Sequence, residues 1–366
     1  MSDNVIQLSQ RKPIKTNSLG CLTQSFSTSR RHQEDVFWLK ENAELLNIFE
    51  CTNVDRAGLD LQTYATFYSD LPERLRFFPQ YYRFMLSLAL DLEALGMTGT
   101  VAEELCVFAH LSGLAKGELS DLQRGEAMRL LARRGIHLED GDALTERLHH
   151  FINHSATFAI PNRKAAYELT HIVFYLSEYG RKDPEIGKAA IDSLIFAGIL
   201  AHMEQNADIL SEVCVALRFA GQVPPKVWET WLKQVVRGFD RSGDTGGASD
   251  HYHEYLVANW ACAAMGEASF NGSYSPKGQS FYSPVMPLGA MRSLSEALHD
   301  SAAARRSDWA GMKGQLFDRL PLDVAAHIDT VAGATPKFDA FFEHFARAAQ
   351  ISAKALPTKP DFVGGR

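Results

Sequence analysis

Predicted helices beginning near residues 163, 206 and 249 alternate with others near 184 and 224, a helix-pair period of about 40 residues. Such a pair cannot bury its apolar face alone, so a chain built this way must stack its pairs side by side. Segments such as "YELTHIVFYLSEYG" and "ADILSEVCVALRFAG" are apolar enough for an inner layer. More polar ones such as "PPKVWETWLKQVV", with Trp228 and Trp231 as packing residues, suit an outer layer.

Elsewhere the pattern is also helical. "EDVFWLKENAELLNIFE", "LDLQTYATFYSDL" and "PQYYRFMLSLALDLEALG" open the core, the last ending at Gly96. "VAEELCVFAHLSGLA" and "SDLQRGEAMRLLARRG" follow, and "PKFDAFFEHFARAAQISAKA" comes last. No stretch alternates with a period of two between hairpin turns, so no sheet is expected. The reading is all-α. Residues 1–33, rich in Ser, Thr, Gln, Arg and Lys, read as a flexible arm. Residues 34–351 read as a single helical-repeat domain and 352–366 as a flexible tail. About six helix pairs fit, the number usual for a closed α/α toroid, with an open α-solenoid as the alternative. Closure is preferred because an open array would show polar end caps.

The repeat aligns polar residues. From His171 to Glu212 and from Glu212 to His253 is 41 positions each, and Glu168, Asp208 and Asp250 lie three or four residues before them. Residues at that spacing share a helix face. Equivalent helix pairs would bring all six to one mouth of a central cavity. Two imidazoles and several carboxylates suit Zn²⁺ with an open coordination position, or a harder divalent metal. His171, Glu212 and His253 are the expected ligands. Glu168, Asp208 and Asp250 are the expected catalytic groups, orienting a ligand or moving protons. The competing explanation is structural: acids near helix N-termini stabilise the helix dipole, and a His on an apolar helix is commonly a satisfied core residue.

Three E-x-x-H pairs, Glu146-His149, Glu168-His171 and Glu296-His299, invite comparison with di-iron bundles. The short link between the first two and the polar Glu296 helix argue against it. His149, His150 and His154 cluster at a polar helix end. Residues 266–287, with Phe270, Tyr274, Phe281 and Tyr282, form the longest irregular stretch, either a lid over the cavity or a plain connection. "FPQYYRF" reads as packing or as a cavity wall. "SGDTGGAS" lacks the Gly-Lys-Ser/Thr of a phosphate loop, and no G-x-S-x-G nucleophile elbow occurs.

A formal net charge of −7 argues against a general nucleic-acid binder. No run reaches the ~18 apolar residues of a membrane span. The first residues lack the apolar stretch of a secretory signal. Five scattered cysteines without a C-x-x-C pair suit a reducing, cytoplasmic setting.

With its paired helices and polar inner rim, the region from about 80 to 345 resembles α/α-toroid proteins. Proton-initiated terpene cyclases, protein prenyltransferase β-subunits and lanthionine-forming cyclases are similar in architecture. "YELTHIVFYLSEYG" and "SDHYHEYLVANWACA" also resemble segments of poorly characterised bacterial helical proteins. The resemblance implies a closed ring with its site in the central cavity. The Asp-x-Asp-Asp acid, the spaced Asp, Cys, His zinc set and the Cys-His pair of those three enzyme groups are absent, so no catalytic residue carries over. The expectation is a metal-assisted hydrolase, lyase or cyclase acting on a small or partly apolar molecule. The alternative is a non-catalytic scaffold that binds a peptide or protein.

Overall fold

The computed structural model describes residues 18–52, 54–242 and 250–348. They are all-α, with seventeen α-helices and a single two-stranded sheet among them. None of the described helices is long and apolar enough to cross a membrane, and all five cysteines are unpaired.

The first helix, α1, spans Ser18–Gln24 and runs into a π-helical turn, Ser25–Ser29. Then follow α2 (Val36–Cys51), α3 (Ala65–Phe77), α4 (Tyr82–Leu95), α5 (Val101–Leu111) and α6 (Asp121–Ala132). The middle of the chain holds α7 (Gly141–Ile152), α8 (Ser155–Phe158), α9 (Arg163–Leu176), α10 (Lys188–Glu204) and α11 (Ala207–Phe219). Next come α12 (Lys226–Gly238) and α13 (Tyr252–Ala264). The last four are α14 (Ala290–Asp300), α15 (Trp309–Phe317), α16 (Leu322–Gly333) and α17 (Phe338–Phe345).

Local chemistry sets the starts and stops. Asp35, Asn162 and Asn206 cap α2, α9 and α11, each side chain accepting from a first-turn amide (Phe37, Ala165 and Ile209). Gly96 ends α4 with φ +120°, a backbone that disfavours a side chain.

Six helices touch in a cyclic order: α2 packs on α4, α4 on α6, α6 on α9, α9 on α11, α11 on α13, and α13 on α2. The helices between them in sequence pack against members of this cycle. α3 and α5 pack on α4, α7 on α6 and α9, α10 on α9 and α11, and α12 on α11 and α13. α14, α16 and α17 cover α10, which buries residues on all sides, from Ala190 to Met203. At Gly198 of α10 the missing side chain makes room for the fully buried Trp228 ring of α12. Trp231 of the same helix is partly buried.

Two expectations are corrected. The arm over residues 1–33 is folded from Ser18 onward. Leu22 and Phe26 are fully buried, and Ser27 and Phe26 offer carbonyls to Trp38 Nε1 (3.0 Å) and Asn42 (3.1 Å). Its polar composition hides a helical apolar stripe, Leu19, Leu22 and Phe26, while Thr23 and Thr28 bond back to helix carbonyls. Secondly, a short sheet exists: β1 (Asp240–Ser242) pairs antiparallel with β2 (Ser280–Tyr282), Asp240 opposite Tyr282. Three-residue strands are too short to show an alternation. Of the two readings of 266–287, lid or connection, the packing favours the connection, with three of its four rings in the core. Phe281 stacks on Tyr255, Phe270 meets Phe49 edge-on, and Tyr274 shares a 2.6 Å hydroxyl bond with Tyr255, leaving Tyr282 exposed. Burial of these rings outweighs exposing them over a cavity mouth. The tail over 352–366 lies outside the described residues.

Candidate functional site

A cavity of about 330 Å³ lies among the six cyclically packed helices. Each contributes to its wall: Glu44 from α2, Ser87 from α4, Glu126 from α6, His171 from α9, Glu212 from α11 and His253 from α13. A separate pocket of about 200 Å³ is lined mainly by apolar residues of α8, α9 and α10. Its charged residues, Arg163 and Glu204, pair loosely with each other at 3.9 Å. A third pocket, on the far side of Arg129 and Tyr175, is lined by polar residues that include His137, His149, Asp142 and Asp183.

The neighbouring helices register at an offset of 41 to 44 residues. Tyr167 donates to Asp208 Oδ2 (2.7 Å, offset 41) and Thr170 donates to Glu212 Oε2 (2.5 Å, offset 42). Arg133 donates to Asp91 (2.6 Å, offset 42), and Asn47 reaches Asp91 at 3.5 Å (offset 44). Each offset is one inner helix plus one outer helix plus two turns.

This register brings Asp208, Glu212 and His253 together, each offering an atom within 4.8 Å of the others. It is the one such group of potential metal ligands among the described residues. His253 Nδ1 lies 3.0 Å from Asp208 Oδ1, and His253 Nε2 lies 4.0 Å from Glu212 Oε1 and 3.8 Å from Glu44 Oε1. The short approach and the opposite charges together tie Asp208 to His253. Glu44 faces both His253 and the Tyr252 hydroxyl from α2.

Three carboxylates around one imidazole set its proton affinity. Burial alone would lower the His253 pKa, but Glu44, Asp208 and Glu212 outweigh it and hold the ring protonated up to about 10. For Asp208, burial is outweighed by His253, and the carboxyl falls below its usual range. Burial pushes the Glu212 carboxyl up; His171 opposes this and Asp208 adds to it. The site thus favours a positive charge at His253 and disfavours a third negative one beside it.

The remaining candidates are placed differently. His171 lines the cavity with Nδ1 3.6 Å from Glu212 Oε2, and the same nitrogen donates to the Tyr167 carbonyl at 2.8 Å. In the neutral ring this leaves Nε2 as the acceptor. Glu168 is not brought to this set; it lies beside Lys164 at 3.7 Å. Neither is Asp250, which forms a buried two-point ion pair with Arg30 (2.7 and 3.0 Å) and accepts from the Phe281 amide. Glu296 pairs with Arg292 on the surface, and His150 and His154 meet edge-on in the open, so the E-x-x-H pairs form no shared centre among the described residues. In "FPQYYRF", Phe78 is exposed, whereas Tyr82 is buried and Phe84 reaches the cavity.

Sequence reasoning passed over Glu44 and Lys40. The signal was present in "LKENAELLN", a helix otherwise apolar that carries Glu41, Asn42, Glu44 and Asn47. Tyr167 and Thr170, which fix Asp208 and Glu212, were also missed, although both lie 41 or 42 residues before their partners.

No curated protein and no solved structure matches the chain. One family covers it almost entirely, over residues 2–348, and the chain therefore belongs to the family described as Domain of unknown function (DUF6902).

Proposed function

We propose that the six cyclically packed helices form a closed α/α toroid whose central cavity is the site of a metal-assisted enzyme acting on a small molecule. Asp208, Glu212 and His253 are the ligands, an N,O,O set that suits Zn²⁺ or a harder divalent ion with open positions. The observation that carries this reading is the crowding of three carboxylates, Glu44, Asp208 and Glu212, around a single imidazole in the cavity wall. Buried anionic oxygens need a compensating cation, and one protonated ring shared by three carboxylates is a sparse one. The metal would replace the proton on His253.

When bound, such an ion polarises a substrate oxygen or makes bound water acidic. The chain supplies the rest. Tyr167 and Thr170 hold Asp208 and Glu212 in place from the preceding ring helix. His171 lines the cavity beside Glu212, its ring fixed through Nδ1 by the Tyr167 carbonyl, so that Nε2 is the atom through which it would exchange a proton with a substrate. Hydrolysis, elimination and cyclisation all use this combination, and the proposal extends to that group of reactions.

The test is the metal content of protein purified without added metal or a His tag, beside an Asp208→Asn, His253→Ala double variant. Near-stoichiometric metal that disappears in the variant is the expected result. No metal in the native protein, and none taken up from excess Zn²⁺, Mn²⁺ or Mg²⁺, would sink the metal centre.

A further inference from the structure

The cavity has a second charged wall that the metal reading does not use. Arg129, on α6, is 5% exposed and lines the cavity. Its Nε and Nη1 are buried without a hydrogen-bond partner, and it makes no ion pair among the described residues. Its neighbours are treated otherwise. Arg133 pairs with Asp91 at 2.6 Å, Arg134 with Glu93 at 2.5 Å and Arg124 with Asp140 at 3.7 Å. Glu126, one turn before Arg129, is taken by Arg83 of α4. A buried guanidinium with no counter-ion is unfavourable, and folds normally pair one.

What surrounds Arg129 is aromatic. Its guanidinium lies 4.6 Å from the centre of the Tyr179 ring and 6.0 Å from that of Tyr175. Tyr179 in turn stacks on Trp260 at 5.7 Å and 20°. Tyr179 holds this position from a left-handed backbone, φ +54°, following Glu178 at +48°. Non-glycine residues adopt that region at a cost, and such strain tends to persist where placement of the side chain matters.

We infer that Arg129 is the anion-binding residue of the central cavity, and that the cavity takes a small molecule bearing a carboxylate or phosphate group. Arginine matches both groups through its planar donors. The aromatic rings from Tyr175 to Trp260 would receive the apolar or unsaturated part of the same molecule. The volume, about 330 Å³, is at the small end of ligand sites and sets the size class as a small metabolite. The inference rests on the central cavity being a ligand site and adds the substrate class, but it does not need the metal.

Isothermal titration calorimetry on the full chain in EDTA, with benzoate, inorganic phosphate and benzamide, tests it. The expected result is that benzoate or phosphate binds, and which one does identifies the head group. Benzamide, the neutral counterpart of benzoate, should bind about tenfold weaker or worse, and Arg129→Gln should weaken the anion by a similar factor. Arg129→Gln should lower the melting temperature only slightly, because the ring contacts to Tyr179 and Tyr175 are lost but no ion pair or hydrogen bond is; a structural arginine would give a large drop. If it fails to fold, Arg129→Lys, which keeps the charge and loses the planar donors, must still weaken the anion severalfold. Neither anion binding up to about 10 mM, or binding that ignores Arg129 or the charge, would overturn the inference. The same titration on the Asp208→Asn, His253→Ala variant separates the two readings. Anion binding should survive there whether or not the native protein holds metal.

Discussion

Asp250 offers the sharpest test of how the cyclic packing is held, because its sequence position mimics that of a catalytic acid. It precedes α13 and meets Arg30 through two bonds, while Arg30 Nε reaches Glu41 of α2 at 2.9 Å. The side chains of Arg30, Glu41 and Asp250 are 7%, 1% and 4% exposed. This triad therefore ties the N-terminal segment to both helices at the α13–α2 junction. Breaking a buried ion pair by removing one partner costs about 3–5 kcal/mol. Glu41 still faces Arg30 after Asp250→Ala, so the expected loss is smaller, about 2–4 kcal/mol. At roughly 2 °C per kcal/mol for a chain of this length, that is a fall of about 4–8 °C in Tm. Urea and thermal melts of Asp250→Ala, Arg30→Met and the double variant give the coupling, expected at about 1–3 kcal/mol. Metal content and anion binding should not change. A loss under about 1 kcal/mol with additive single effects, or a lost metal, would refute the structural role.

Three other outcomes follow from the geometry. Asp208→Asn alone should weaken metal binding by about 100-fold or more, read by competition with a chromophoric chelator, whereas Glu168→Gln should leave it unchanged. His253 is held charged by Glu44 and Asp208 against burial, its pKa raised from 6.5 to about 10. Its stabilisation in metal-free protein is thus complete below about pH 6.5 and lost as pH rises through about 10, so the native advantage over His253→Gln should shrink across that window. A gap in urea midpoint that stays constant from pH 6 to pH 10 would contradict this. Gly198→Ala would place Cβ 2.4 Å from the buried Trp228 ring, and overpacking of this kind costs about 1–3 kcal/mol; an unchanged Tm would show that the α10–α12 contact yields freely.

Much of this molecule is local in origin and so legible in its sequence. Helical periodicity, the Asn162 and Asn206 caps and the stop at Gly96 are set by neighbouring residues. The 41-residue spacing of His171, Glu212 and His253 also predicts adjacent helices, and α9, α11 and α13 are adjacent. What the sequence alone leaves open is which polar residue faces which partner. Glu168, Asp208 and Asp250 are alike as residues at the starts of inner helices. Tertiary packing gives them separate fates: Glu168 beside a surface lysine, Asp208 against His253, Asp250 against Arg30. Residues far away in sequence make those choices, Arg30 from an N-terminal segment that reads as an arm and Glu44 from α2. Arg129 is the same case in reverse: Glu126 stands one turn before it in sequence, and only the fold gives that acid to Arg83 and leaves Arg129 buried without one. Helix propensity acts over a few residues, whereas charge pairing depends on distances of a few ångströms that exist only once six helices have met.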